Sequence, residues 1–229
     1  MNHVQKPKTL KISASVLSAD LSALNREVSR VSEAGADMLH IDVMDGIFVP
    51  PMTIGDVVVK SLNKTKKLIF DTHLMVSQPE KVIPLFAEAG SDMISIHAES
   101  GYKSGIKNAL EQIKRLGCKA GLAINPLTPI ETAFAFIGIA ELFIIMSVNP
   151  GYGGQAFIPE SLDKIAALRK ETDKRGVNAI IEVDGGINQN TAPDVIKSGA
   201  DILVAGNYLF SSADMKAAVD SLRTANYSS

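Results

Sequence analysis

Eight short apolar runs rich in β-branched residues alternate along the chain with longer amphipathic segments. The runs lie at residues 11–17, 38–44, 68–75, 93–97, 119–125, 142–148, 179–184 and 202–205. Strands buried on both faces belong to parallel sheets covered by helices, so the alternation predicts successive βα units. The intervening segments read as helices, for example 21–34, 79–89 and 161–175. Eight such units within 229 residues predict a single (β/α)8 TIM barrel near the lower end of its size range. A doubly wound open sheet is the runner-up. The phrases Glu33-Ala-Gly-Ala-Asp37, Glu88-Ala-Gly-Ser-Asp92 and Lys197-Ser-Gly-Ala-Asp201 favour the barrel, because each closes a helix with a glycine at the C′ position and then enters a strand.

No Pro/Gly/Ser-rich stretch separates two domains, so one domain spans residues 1–229, with short polar tails at about 1–9 and 224–229. The net charge is −2 and no basic cluster stands out, which argues against a nucleic-acid partner. Residues 1–9 are polar and lysine-bearing, and no run of about 18 apolar residues follows, so a soluble cytoplasmic protein with no membrane partner is expected. Cys118 is the only cysteine, which excludes an intrachain disulfide or a thiolate metal cluster. It is expected to pack at the start of a strand.

In a barrel, chemistry sits at the C-terminal strand ends. There the second run carries His40 and Asp42, two residues apart and so on one strand face. The third run adds His73 and the seventh Asp184. Two imidazoles and two carboxylates form a mixed N/O set that suits one divalent zinc, iron, manganese or cobalt ion better than calcium. Asp71 and Glu182 each precede a candidate ligand by two residues and should support it from deeper in the barrel. His97 reads as a hydrogen-bonded interior histidine. Glycines follow the last three strands in Asn149-Pro-Gly-Tyr-Gly-Gly154, Gly185-Gly186 and Gly206-Asn207. Their main-chain N–H groups can approach an anion closely, so Gly151, Tyr152, Gly153, Gly154, Gly185, Gly186, Gly206 and Asn207 are candidate phosphate contacts.

These phrases, with Ser15-Val-Leu-Ser-Ala-Asp20, Phe48-Val-Pro50, Asp71-Thr-His-Leu-Met75 and Met146-Ser-Val-Asn149, resemble the ribulose-phosphate 3-epimerase family over nearly everything from Ile12 to about Leu222. The resemblance implies a 3-epimerase, an isomerase of the pentose phosphate pathway, interconverting D-ribulose 5-phosphate and D-xylulose 5-phosphate without an organic cofactor. It implies a metal held by His40, Asp42, His73 and Asp184, with Ser15 and His73 near the substrate and Met44, Met75 and Met146 lining the reacting centre. Packing alone would otherwise have been the reading of those methionines. Inverting carbon 3 means removing a proton α to a carbonyl and returning one to the opposite face, so two carboxylates are needed, Asp42 and Asp184, through a cis-enediolate. A homo-oligomer is expected on the same ground. Ala14, Pro51 and Asn207 depart from the family pattern, where proline, asparagine and serine are common; none removes a ligand or an acid-base group. Alternatives are a hexulose-6-phosphate (allulose-6-phosphate) 3-epimerase and a non-catalytic phosphosugar-binding barrel. The related lyases carry a lysine between two aspartates, and Asp42-Val-Met-Asp45 has none.

Overall fold

A computed structural model of the chain describes residues 10–65 and 67–225. Eight parallel strands close into a barrel: β1 (Lys11–Ser15), β2 (Met38–Met44), β3 (Ile69–Met75), β4 (Met93–His97), β5 (Lys119–Ile124), β6 (Leu142–Met146), β7 (Ile180–Asp184) and β8 (Ile202–Ala205). Because β8 pairs with β1, the open-sheet alternative is excluded. The helices are α1 (Leu24–Glu33), α2 (Asp56–Asn63), α3 (Pro79–Ala89), α4 (Ile106–Arg115), α5 (Glu131–Phe134), α6 (Ser161–Lys174), α7 (Ala192–Lys197), α8 (Asn207–Phe210) and α9 (Met215–Thr224). No helix among the described residues is long and apolar enough to cross a membrane.

Several strands are shorter than the apolar runs that encode them, and the partner strand is the reason. β1 stops at Ser15, where β8 no longer offers a ladder beyond Ala205, opposite Ala14; residues Val16–Ser18 turn into a 3-10 helix. Similarly β6 stops at Met146, opposite the last residue of β7, Asp184. The helix expected from residue 21 begins as a 3-10 turn over Leu21–Ala23, with Asp20 accepting from the Ser22 N–H. Helix α9 ends at Thr224, and residues 1–9 and 226–229 of the two expected tails lie outside the described residues.

Period-2 alternation divides the core into two layers. Leu39, Ile41 and Val43 of β2 pack outward against the helices, with Phe70 of β3 and Phe143 of β6. Met38, Met93, Leu142, Ile144 and Ile202 fill the barrel interior. Cys118 is buried just before β5, as expected.

The recurrent αβ phrases do more than end helices. Gly35, Gly90 and Gly199 take φ of 92°, 105° and 114°, a region only glycine enters cheaply. The aspartate two residues later then reaches back to the preceding strand. Asp37 accepts from the Ile12 N–H at 2.9 Å, Asp92 from Phe70 at 2.7 Å and Asp201 from Ile181 at 2.8 Å. Glu141 does the same for Ala120 at 3.2 Å. Each even strand is thus clamped to the odd strand before it. α3 tolerates Pro84 because the Glu80 carbonyl, which a proline cannot serve, accepts from Gln112 Nε2 at 3.2 Å.

Candidate active site

The β2–β3 register sets His40 opposite Asp71 and Asp42 opposite His73, while β7 supplies Asp184 three strands away around the barrel. Four atoms converge: His40 Nε2, Asp42 Oδ1, His73 Nδ1 and Asp184 Oδ2. The two ring nitrogens are 3.2 Å apart, each lies 3.4 Å from Asp42 Oδ1, and each lies 3.7 Å from Asp184 Oδ2. A tetrahedral site with donors about 2.1 Å from its centre, a usual zinc–nitrogen or zinc–oxygen length, has edges of about 3.4 Å, and these five separations lie close to that value. The donor set therefore fits a small divalent ion in both chemistry and spacing, and could hold one.

A second acidic group, His40 with Asp71 and Glu182, does not share that geometry. His40 Nδ1 is 2.7 Å from Asp71 Oδ2, a charge-assisted hydrogen-bond length too short for two ligands of one ion. Nδ1 carries a single proton and gives it to Asp71, so Glu182 Oε1 at 3.1 Å is close without being bonded. This bond fixes the ring so that Nε2 is the nitrogen facing the four-donor cluster. Asp71 and Glu182 lie below the cluster, as the sequence suggested.

Burial and opposing charges set the protonation pattern. Burial pushes Asp42 up, but the charge of His40 beside it, with a smaller contribution from His73, outweighs it and holds Asp42 below the usual carboxylate range. Burial alone would lower His40, yet Asp42 and Asp71 raise it well above an ordinary imidazole. Asp184 is pushed up to about 7, by burial first and then by the charge of Asp42 against the opposing pull of His40. Glu182 is raised well above the carboxylate range by burial and by neighbouring Asp71. His97 is held neutral, at about 4, mainly by burial.

Above the cluster opens a cavity of roughly 670 Å³. Asp42 and Asp184 reach its floor, whereas His40 and His73 are wholly buried beneath it. Ser15 lines the wall and donates to Asp42 Oδ2 at 2.6 Å. Met44, Met75 and Met146 form an almost fully buried rim. The glycine candidates gather on the far side: Gly151, Tyr152, Gly153 and Gly154 from the loop after β6, Gly185 and Gly186 after β7, and Gly206 with Asn207 after β8. Gly186, at φ 65°, packs so tightly that a Cβ would stand 2.5 Å from the Phe157 amide nitrogen.

Three features escaped the sequence reading. Ser18 lines the cavity with its hydroxyl wedged between Gly153 and Gly206. It belongs to the same Ser15-to-Asp20 phrase, and only the 3-10 turn after β1 brings it inward. Ser147 donates to the carbonyls of Asp184 and Gly185 at 3.0 and 2.7 Å and so fixes the end of β7. Glu99 lies 3.1 Å from His97, two residues beyond it on the same chain segment.

Residues 11–210 match the Ribulose-phosphate 3 epimerase family. A ribulose-phosphate 3-epimerase of Synechocystis sp. is 45% identical over 216 residues, 94% of each chain. One from Bacillus subtilis is 43% identical over 215 residues, 93% of this chain and 98% of the relative. Among solved structures, 3-keto-L-gulonate-6-phosphate decarboxylase from Vibrio cholerae superposes with a TM-score of 0.71 at 16% identity, over 95% of this chain and 97% of that one, a likeness of fold alone. With a closed barrel, a four-donor cluster at its C-terminal end and near-full-length identity to two curated epimerases, this chain belongs to the ribulose-phosphate 3-epimerase family.

Proposed function

We propose that this chain inverts carbon 3 of a 2-ketosugar phosphate, interconverting D-ribulose 5-phosphate and D-xylulose 5-phosphate, with Asp42 and Asp184 as the proton-transfer pair. One observation carries the reading: two carboxylates from separate strands meet at one cluster with their proton affinities pushed apart, Asp42 down and Asp184 up to about 7. Such divergence marks a base and an acid. His40, Asp42, His73 and Asp184 would hold one divalent ion, of the zinc, iron, manganese or cobalt type. Bound there, the ion supplies Lewis acidity for negative charge developing on the substrate's oxygens.

Asp42, ionised and steadied by Ser15, takes the carbon 3 proton from one face. Asp184 delivers its proton to the other face of the cis-enediolate, and in the reverse direction the two exchange roles. Met44, Met75 and Met146 keep water from the reacting carbon without offering a competing hard ligand. The amides around Gly185, Gly186, Gly206 and Asn207, joined by Ser18, receive the phosphate. Gly151 to Gly154 bound the cavity on the loop side. Cytoplasmic location and a homo-oligomeric state belong to the same proposal and rest on likeness to the family.

The test is to assay metal-reconstituted protein in deuterated water with D-ribulose 5-phosphate and D-allulose 6-phosphate in parallel. The expected result is turnover of the pentulose phosphate with one deuterium at carbon 3 of the product. Preference for the hexulose phosphate would move the substrate assignment, and turnover without label would overturn the two-carboxylate route.

A further inference from the structure

His40 is oriented from below by a carboxylate, but His73 has none on its outer nitrogen. Its Nε2 instead lies 2.8 Å from Nε2 of His97, and His97 Nδ1 lies 3.1 Å from Glu99 Oε2. Both rings are fully buried and nearly parallel, meeting edge to edge with centroids 4.9 Å apart, and Phe48 covers His97 at 4.8 Å; among the described residues these are the contacts of the outer nitrogens. An N···N contact this short is a hydrogen bond with one proton, and only one of the two Nε2 atoms can carry it.

Glu99 decides which. Its Oε1 already accepts from the Asn125 N–H at 3.0 Å and from the Thr128 hydroxyl, which fixes the carboxylate's orientation and leaves Oε2 for His97. The loop bearing those donors is itself held by Lys164, whose Nζ donates to the carbonyls of Asn125, Pro126 and Thr128. A carboxylate so placed only accepts, so His97 carries its proton on Nδ1 and presents a bare Nε2. His73 must then donate from Nε2, and its Nδ1 faces the cluster as a lone pair.

We propose that Glu99 and His97 form a relay of positioning residues that sets the tautomer of His73 and so makes its Nδ1 a metal donor. The last step rests on the metal-centre reading above; the tautomer does not. The relay also explains why a glutamate stands at the end of β4 with both oxygens engaged although it touches neither the cavity nor the four donors.

The decisive variant is Glu99→Gln. Its oxygen is needed by two donors at Asn125 and Thr128, so its amide NH2 turns to His97 and donates to Nδ1. His97 then holds its proton on Nε2, donates to His73, and leaves a proton on His73 Nδ1 where a lone pair is required. In metal-free protein, ¹⁵N-histidine NMR is expected to show His73 as the Nε2–H tautomer in the wild type and Nδ1–H in E99Q. Competition for Zn²⁺ against a chelator is expected to show about 10–100-fold weaker binding by E99Q, the usual loss when the partner of a ligating histidine is removed. A wild-type Nδ1–H tautomer, or E99Q unchanged in both tautomer and Zn²⁺ affinity, overturns the relay. Should E99Q fail to fold, the wild-type tautomer decides. Wild-type protein that shows the Nε2–H tautomer yet binds no Zn²⁺ supports the relay and overturns the metal-centre reading instead.

Discussion

Replacing Asp184 by asparagine separates proton transfer from everything else the site does. The side chain is 15% exposed, and asparagine fills its volume, so no cavity forms. Asparagine's oxygen can still face the two imidazoles, which weakens one donor of four without removing it. What disappears is the transferable proton. A positioned acid or base is worth about 10²–10⁴ in rate, or about 3–5 kcal/mol of barrier, and epimerisation should fall by that much in D184N. Phosphosugar binding should persist, because the glycine loops are untouched. The sharper signature is isotopic. With Asp42 intact, one epimer should still exchange its carbon 3 proton with deuterated water while neither epimer is converted to the other. NMR of each sugar phosphate incubated with metal-loaded D184N reads both processes at once. Retained turnover would refute the role of Asp184, and loss of exchange from both epimers in a metal-loaded variant would refute independent action by two carboxylates.

The same variant carries a stability signature in the metal-free protein. Asp184 is raised from 3.8 to about 7, so the native state keeps a proton that the unfolded chain gives up over that interval. Stability is therefore lost as pH climbs from about 4 to 7, by roughly 4 kcal/mol at most, and less where His40 takes up the compensating proton. Asparagine stays neutral throughout, so D184N should show a flatter stability–pH profile by chemical denaturation; identical slopes would contradict the shift.

Other outcomes follow from single contacts. Metal at a thousandfold excess over its dissociation constant adds about 4 kcal/mol, so chelation should lower the melting temperature by about 8–16 °C for a chain of this size; an unchanged melt would count against a resident ion. Ser15→Ala removes the 2.6 Å bond to Asp42 Oδ2, a charge-assisted contact worth about 1.5–3 kcal/mol, and should reduce kcat by about 10–100-fold; wild-type kcat would deny that Ser15 steadies the base. Gly186→Ala drives a Cβ to within 2.5 Å of the Phe157 nitrogen at φ 65° and should cost about 1–3 kcal/mol of stability while raising KM for the phosphorylated substrate; unaltered KM would place the phosphate elsewhere.

Much of the fold is legible along the chain because its signals are local. Runs apolar on both faces, glycines at helix ends and the two-residue spacing of His40 and Asp42 all follow from short-range geometry, and the barrel reproduces them. The ends of β1 and β6 were not legible, since a strand stops where its neighbour stops and the neighbours β8 and β7 lie far along the sequence. The aspartates of the recurrent phrases looked like punctuation between helix and strand. Only the pairing of strands reveals Asp37, Asp92 and Asp201 as acceptors for the preceding strand.

By itself, then, the sequence determined the barrel, the candidate donors and acids, and the glycine loops, because residue type and spacing settle which groups a strand end can present. Tertiary structure alone decided how those groups face one another. Donors from strands more than 30 residues apart meet with edges of 3.2–3.7 Å only once the barrel closes. Which nitrogen of His40 and His73 turns to the centre depends on Asp71, His97 and Glu99, partners that no local pattern connects to them. A histidine's usefulness as a donor is fixed by the hydrogen bond on its other side, and that bond is a property of the folded chain.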